Sequence, residues 1–228
     1  MPANPVIATT TGFFGKLPGA GDFVVRSFER PLVASLTAWA DTLVQHLRRG
    51  AGEEWATVFD RLQPVAWVAA EGVCGPTAFA GLMRPSMDRV GRRYPLVVGV
   101  ALPPGSRVVQ AAAAAQGWFD YMDGLVEDTW SSSLGVEALS AALAEAPPFP
   151  DAGGDPGAVA EPIAAGGWHV RWSGRPRRPD LASHIMDAAA AANMGRYSLF
   201  WAGPLKEGVD VLIVPGLAGP DQILALAL

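Results

Sequence analysis

Four arginines stand within ten residues of one another, Arg84, Arg89, Arg92 and Arg93, with Asp88 among them, in the segment RPSMDRVGRRYPL over 84–96. Guanidinium groups are planar, permanently charged and donate in pairs, so such a cluster suits carboxylates or phosphorylated side chains on a partner. The same donors could turn inward, with Asp22 and Asp88 pairing with them to hold loops in place. Asp22 belongs to a second segment, GFFGKLPGAGDFVVR over 12–26, where Lys16 and Arg26 add charge among glycines and a proline. A packed core has no use for such residues, which require solvation or partners. Two carboxylates can also do acid–base work when their environments split their pKa values. A small hydrolase using Asp22, Asp88 and an arginine is therefore the rival reading.

Other chemistry finds less support. The run GKLPGAGD is not a phosphate-binding P-loop, because Lys16 is followed by Leu17 and the glycine spacing is wrong. Val24 stands where a dinucleotide fingerprint needs its third glycine. In a plain turn, Gly19 and Gly21 would take positive φ and Asp22 would cap nearby N–H groups. Cys74, His46, His169 and His184 show no metal-ligand spacing, and Cys74 reads as a small buried hydrophobe beside a turn. Ser86 lies in neither a GxSxG nor an SxxK setting; it could open a turn or helix, with Asp88 adding charge there. No cofactor or metal is expected.

The chain has 228 residues, half of them hydrophobic and 17% charged, enough for a sizeable core and too apolar for general disorder. A formal charge of −5 opposes binding to nucleic acid. A single cysteine fits a reducing compartment. No signal peptide or membrane span is evident, so a cytoplasmic protein without direct membrane insertion is expected.

The elements that must position the charges can be read from periodicity. A short strand at Phe13 and Phe14 runs into the glycine-rich turn. A helix follows from about Pro31 to Arg49, with Leu32, Leu36, Trp39, Leu43 and Leu47 on one face and Gly50 as its stop. Val65–Glu71, Thr77–Met83 and Leu96–Leu102 read as strands; the first two form a hairpin, and the third is apolar enough to be covered on both faces. Helices are expected over 106–126 and 136–145, and a Pro/Gly-rich loop over 147–167. Beyond it come a strand at Trp168–Trp172, a helix at 180–192, and strands at Tyr197–Trp201 and Val209–Val214. Trp168, Val170 and Trp172 would share one face, most simply the core; an aromatic patch at an interface, also using Phe200 and Trp201, is the alternative. The order predicts one α/β domain over 1–228: a mixed, partly antiparallel sheet with helices packed on its faces, a layered αβα sandwich.

Taken together, the two charged segments resemble the hallmark blocks of the TagF family of type VI secretion-associated regulators, GFxGKLPxxGDFVxR followed by PSxDRVGRxxPL. The likeness continues through GVCGPTAFAGLMRPSMDRVG and weakly at YSLFWAG. It implies a non-enzymatic, post-translational repressor of type VI secretion. Such a regulator would act through the forkhead-associated scaffold protein, alongside or independently of a threonine kinase and phosphatase pathway. The chain resembles the stand-alone regulator without a fused phosphatase, recruited to the inner membrane through its partner. Carried over onto this sequence, the blocks make Lys16, Asp22, Phe23, Arg26, Ser86, Asp88, Arg89 and Arg92 the candidate partner-binding residues. A structural accessory of the secretion apparatus is a further reading. Oligomeric state is not legible.

Overall fold

Every residue of the segment Val65–Ala69 is buried, which a strand achieves only when both of its faces are covered. The computed structural model describes residues 10–132, 135–150, 158–163, 167–172, 181–203 and 210–228. In chain order its elements are β1 (Gly12–Gly15), β2 (Val24–Arg26), α1 (Arg30–Ala51), a 3-10 turn (Gly52–Glu54), α2 (Trp55–Asp60), β3 (Val65–Ala69), β4 (Phe79–Arg84), β5 (Leu96–Ala101), α3 (Val108–Ala114), α4 (Gln116–Ser132), α5 (Val136–Ala144), β6 (Ala158–Ile163), β7 (Gly167–Trp172), α6 (Leu181–Met194), β8 (Tyr197–Ala202), β9 (Val211–Pro215) and α7 (Pro220–Ala227).

A seven-stranded sheet in the order β2-β1-β5-β4-β3-β8-β9 forms the middle layer, and β6 and β7 make a separate hairpin. Each pairing in the sheet is antiparallel. Strand alternation sends Val65, Trp67 and Ala69 to one side and Ala66 and Val68 to the other. The first side packs on α1, α2 and α7, through residues such as Leu36, Leu43, Phe59 and Ile223. The opposite side packs on α3, α4 and α5, through Val108, Trp118, Met122 and Leu139. The result is the αβα sandwich that the apolar pattern predicts.

A row of glycines makes room for the largest rings of the core. Trp67 is paired in register with Gly81, Gly81 with Gly99, and Gly99 with Gly12. A Cβ on Gly81 would lie 2.7 Å from the Trp67 ring and 2.6 Å from the Phe79 ring, and one on Gly99 would lie 2.4 Å from Phe79. Trp67 fills this trough and meets the rings of Trp39, Phe79 and Phe200 at 5.2, 5.8 and 6.0 Å.

Several expectations need correction. Helix α1 passes Gly50 and stops at Gly52, which takes φ 54° and bonds its N–H to the Arg48 carbonyl. The helix expected over 106–126 breaks at Ala115 into α3 and α4, and α4 runs on to Ser132. Part of the loop expected over 147–167 is strand β6. Elements β2, α2 and α7 were not legible as separate units. Phe200 and Trp201 lie in the core on opposite faces of β8, not in an exposed aromatic patch. The side chains of Trp168, Val170 and Trp172, and so the face they share, lie outside what the structure describes.

Two other contacts join remote segments. Asp187 of α6 accepts the N–H groups of Val109 (2.8 Å) and Gln110 (3.1 Å) at the start of α3, together with the Tyr197 hydroxyl. His184 meets the Gln110 side chain at 2.8 Å. Burial pushes the Asp187 carboxyl up against these bonds.

Cys74 is buried beside a turn, as its surroundings in sequence suggest. Burial pushes its thiol up to about 12, and contact with the Trp67 indole only partly offsets this. Because the thiolate is the reactive form, Cys74 should resist a maleimide in the native protein near neutral pH and label fully in denaturant. Mass spectrometry before and after unfolding checks this; rapid native labelling would contradict the burial.

Candidate functional site

The two charged segments meet at one corner of the sheet. Strand β1 ends at Gly15, whose φ of 129° and whose would-be Cβ, 2.0 Å from the Pro95 carbonyl oxygen, leave no room for a side chain. This turn sends Lys16 inward, where its ammonium donates to Asp88 Oδ2 at 2.9 Å. Lys16 is 6% exposed and Asp88 2%.

Asp88 organises the second segment around itself. Its carbonyl accepts the Gly91 N–H and its N–H donates to the Arg92 carbonyl, closing a tight turn in which Gly91 takes φ 81°. Its Oδ1 accepts the N–H groups of Val90 (3.1 Å) and Arg92 (2.9 Å), an Asx-type closure, while Oδ2 accepts Arg92 Nε at 2.6 Å. Desolvation alone would raise the carboxyl. The bonds from Lys16, Arg92 and Val90 outweigh it and hold Asp88 well below the usual carboxylate range. The positive φ expected at Gly19 and Gly21 is found instead at Gly15 and Gly91. Ser86 opens no helix; its carbonyl accepts the Tyr94 N–H across the turn.

Backbone bonds then clamp one loop to the other. Arg92 Nη2 donates to the Gly21 carbonyl at 2.8 Å, and the Arg89 N–H donates to the Ala20 carbonyl at 2.8 Å. Tyr94 ties the pair to α1 by donating to Asp41 at 2.9 Å; its own hydroxyl is pushed up by burial and by that carboxylate. The Phe23 ring stands edge-on to Tyr94, with centroids 4.7 Å apart, and 5.1 Å from the Lys16 ammonium.

The candidate residues therefore divide by depth. Lys16, Ser86 and Asp88 are buried, and the Lys16–Asp88 pair ties the two loops together. The Ser86 Oγ has no hydrogen-bond partner among the described residues. Asp22, Phe23, Arg26, Arg89 and Arg92 are exposed. Asp22 does not pair with the arginines; it accepts the Phe23 N–H at 2.8 Å, the capping role open to it in sequence. Arg26 reaches Glu137 of α5 at 3.2 Å. Arg84 joins Asp123 at 2.8 Å and also Glu127, tying β4 to α4, and Arg93 grips Asp60 of α2 at 2.8 Å.

Two residues were missed in sequence. Val90, at the tip of the turn, is 69% exposed, and Val25, on edge strand β2, is 38% exposed. With half-exposed Phe23 they add apolar surface to a charged corner. A valine between Arg89 and Gly91 in a turn was the available signal, since turns favour Gly, Pro, Asn, Asp and Ser.

This corner lies within the part of the chain that a family model recognises. The TagF N-terminal domain, type VI secretion system-associated, matches residues 12–146. The chain belongs to the TagF family. That membership ties it to the type VI secretion system, and the TagF match contains both charged segments entire. Strands β8 and β9 lie beyond the TagF match yet complete the same sheet. A solved structure, that of PA0076 from Pseudomonas aeruginosa PAO1, is similar at 25% sequence identity with a TM-score of 0.75. The likeness covers 96% of this TagF chain and 94% of that one. No curated protein matches. Among the described residues no helix is long and apolar enough to cross a membrane.

Proposed function

We propose that this TagF-family chain represses type VI secretion after translation, without catalysis, by docking the paired loops onto the forkhead-associated scaffold protein of the apparatus. It does so in the cytoplasm, reaching the inner membrane only through that partner. The observation that carries the reading is the corner itself, where exposed Phe23, Val25 and Val90 stand beside arginines on loops locked by a buried ion network. Such a surface presents an aromatic anchor with charged neighbours and little conformational freedom to lose on binding.

The hydrolase reading draws less from the same geometry. Asp88 accepts four hydrogen bonds and is held ionised, which leaves it no proton to give as an acid. Asp22 sits on the exposed turn with its carboxylate on the next N–H.

Binding of the purified scaffold protein to wild type and to a Phe23→Asp variant tests the proposal. The variant, shown folded by circular dichroism, should bind at least about tenfold more weakly, as expected for loss of a buried aromatic anchor. In cells it should release secretion to the level of a deletion strain. Undiminished binding by the folded variant, or no binding by wild type, overturns the proposal.

A further inference from the structure

We propose that Arg89 is the residue that reads the partner, and that it reads a carboxylate in an acidic protein segment whose apolar side chains cover Phe23 and Val90. The inference rests on the paired loops being the docking surface.

The cations of the two segments are not equivalent. Lys16 and Arg92 share Asp88, Arg26 holds Glu137, Arg84 holds Asp123 and Glu127, and Arg93 holds Asp60. Among the described residues, Arg89 has no acidic partner. Its main chain is fixed by the bond to Ala20, and its guanidinium lies across the Gly21 backbone, 3.2 Å from where a Cβ would stand. Phe23, 50% exposed, and Val90, 69% exposed, belong to the same two loops. Among the described residues, Arg89 is thus a donor fork with no acidic acceptor, on the same two loops as exposed apolar surface.

Charge and geometry name the acceptor. On the two loops Lys16, Arg89 and Arg92 outnumber Asp22 and Asp88, so the corner is net positive on a chain of formal charge −5. A negatively charged segment is drawn to that corner and repelled by the chain as a whole. A phosphorylated side chain, with close to two charges, is best held by several guanidiniums. Here Arg92 commits Nε to Asp88 and Nη2 to the Gly21 carbonyl, and Arg26 is committed to Glu137. The single remaining fork matches the two oxygens of one carboxylate.

The test titrates the purified scaffold protein against wild type, Arg89→Ala, Arg89→Lys, Arg89→Glu and Phe23→Ala, each checked for folding, with and without phosphatase treatment of the scaffold. Arg89→Ala should bind about tenfold more weakly, Arg89→Glu more weakly still, and Arg89→Lys between alanine and wild type. Added salt should weaken wild type far more than Arg89→Ala. Phosphatase should change nothing. If Arg89→Ala binds like wild type while Phe23→Ala is weakened, the role of Arg89 falls and the docking surface stands. Loss of binding on phosphatase treatment overturns the carboxylate. If neither substitution weakens binding, or wild type does not bind, this inference and the proposed function fall together.

Discussion

Replacing Asp88 by alanine is expected to lower the melting temperature by on the order of 10 °C, because it strands the buried Lys16 ammonium without its counter-charge. It is also expected to abolish partner binding. The carboxylate accepts from Lys16, Arg92 and two turn N–H groups at once, so its loss opens the turn carrying Arg89 and Val90 and frees Arg92 from the geometry in which it grips Gly21. The damage should be non-additive. In a Lys16→Met/Asp88→Ala double variant the stranded charge is gone, so thermal stability should partly return while binding does not. Melting curves of the two variants check this; a double variant less stable than Asp88→Ala would contradict the account.

The same carboxylate sets an acid dependence whose sign follows from its depressed folded value. In the unfolded chain an aspartate titrates near about 3.9. The stability Asp88 contributes is complete above that value and is lost as the pH falls below it toward the folded value. Acidification from about pH 6 to about pH 3 should therefore narrow the difference in melting temperature between wild type and Asp88→Ala. A constant difference would mean that Asp88 does not titrate as the network requires.

Trp67→Ala is expected to cost about 3–5 kcal/mol in unfolding free energy, the range for deleting a large buried ring. Trp67 is fully buried on β3 at the centre of the sheet, against Trp39, Phe79 and Phe200. The trough it occupies is built from glycines on neighbouring strands, whose rigid backbone cannot advance into the space. Little collapse is therefore available, which places the loss toward the upper end of that range. Chemical denaturation with an unchanged m-value would measure it; a loss below about 1 kcal/mol, the scale of an ordinary surface change, would show that the trough closes. The rings that Trp67 meets belong to none of the hydrogen bonds and ion pairs that lock the charged corner, so a destabilised but folded variant should keep the proposed binding to the scaffold protein.

Features carried by neighbouring residues were legible in the sequence. The helical repeat of Leu32, Leu36, Trp39, Leu43 and Leu47 places all of them in the core. The nearly continuous apolar run at Leu96–Ala101 is a strand covered on both faces. The position of Cys74 and the capping of Phe23 by Asp22 depend on a few adjacent residues and could be read directly. Short elements were harder. β2 has three residues, α2 has six, and α7 begins at Pro220 after a glycine, so none spans enough turns or alternations to show a period. Family membership was likewise legible, since the order and spacing of two local blocks, both inside the match over 12–146, carried the resemblance.

Only the tertiary structure decided which charges are committed. Lys16 and Asp88 are 72 residues apart, Arg26 and Glu137 111, and Arg84 and Asp123 39. In sequence the four arginines at 84–93 are equivalent donors, and Arg89 and Arg92 both stand within four residues of Asp88. The separation arises because hydrogen bonds and ion pairs act over a few ångströms of space: the fold brings remote acids to Arg84 and Arg93, while the tight turn closes Arg92 onto Asp88, four residues before it. Asp88, Asp60, Asp123 and Glu127 are the acids so delivered, and Arg89 receives none among the described residues. The sequence by itself determined that this corner would be charged and glycine-bounded; the fold determined which residues lock it and which are left exposed.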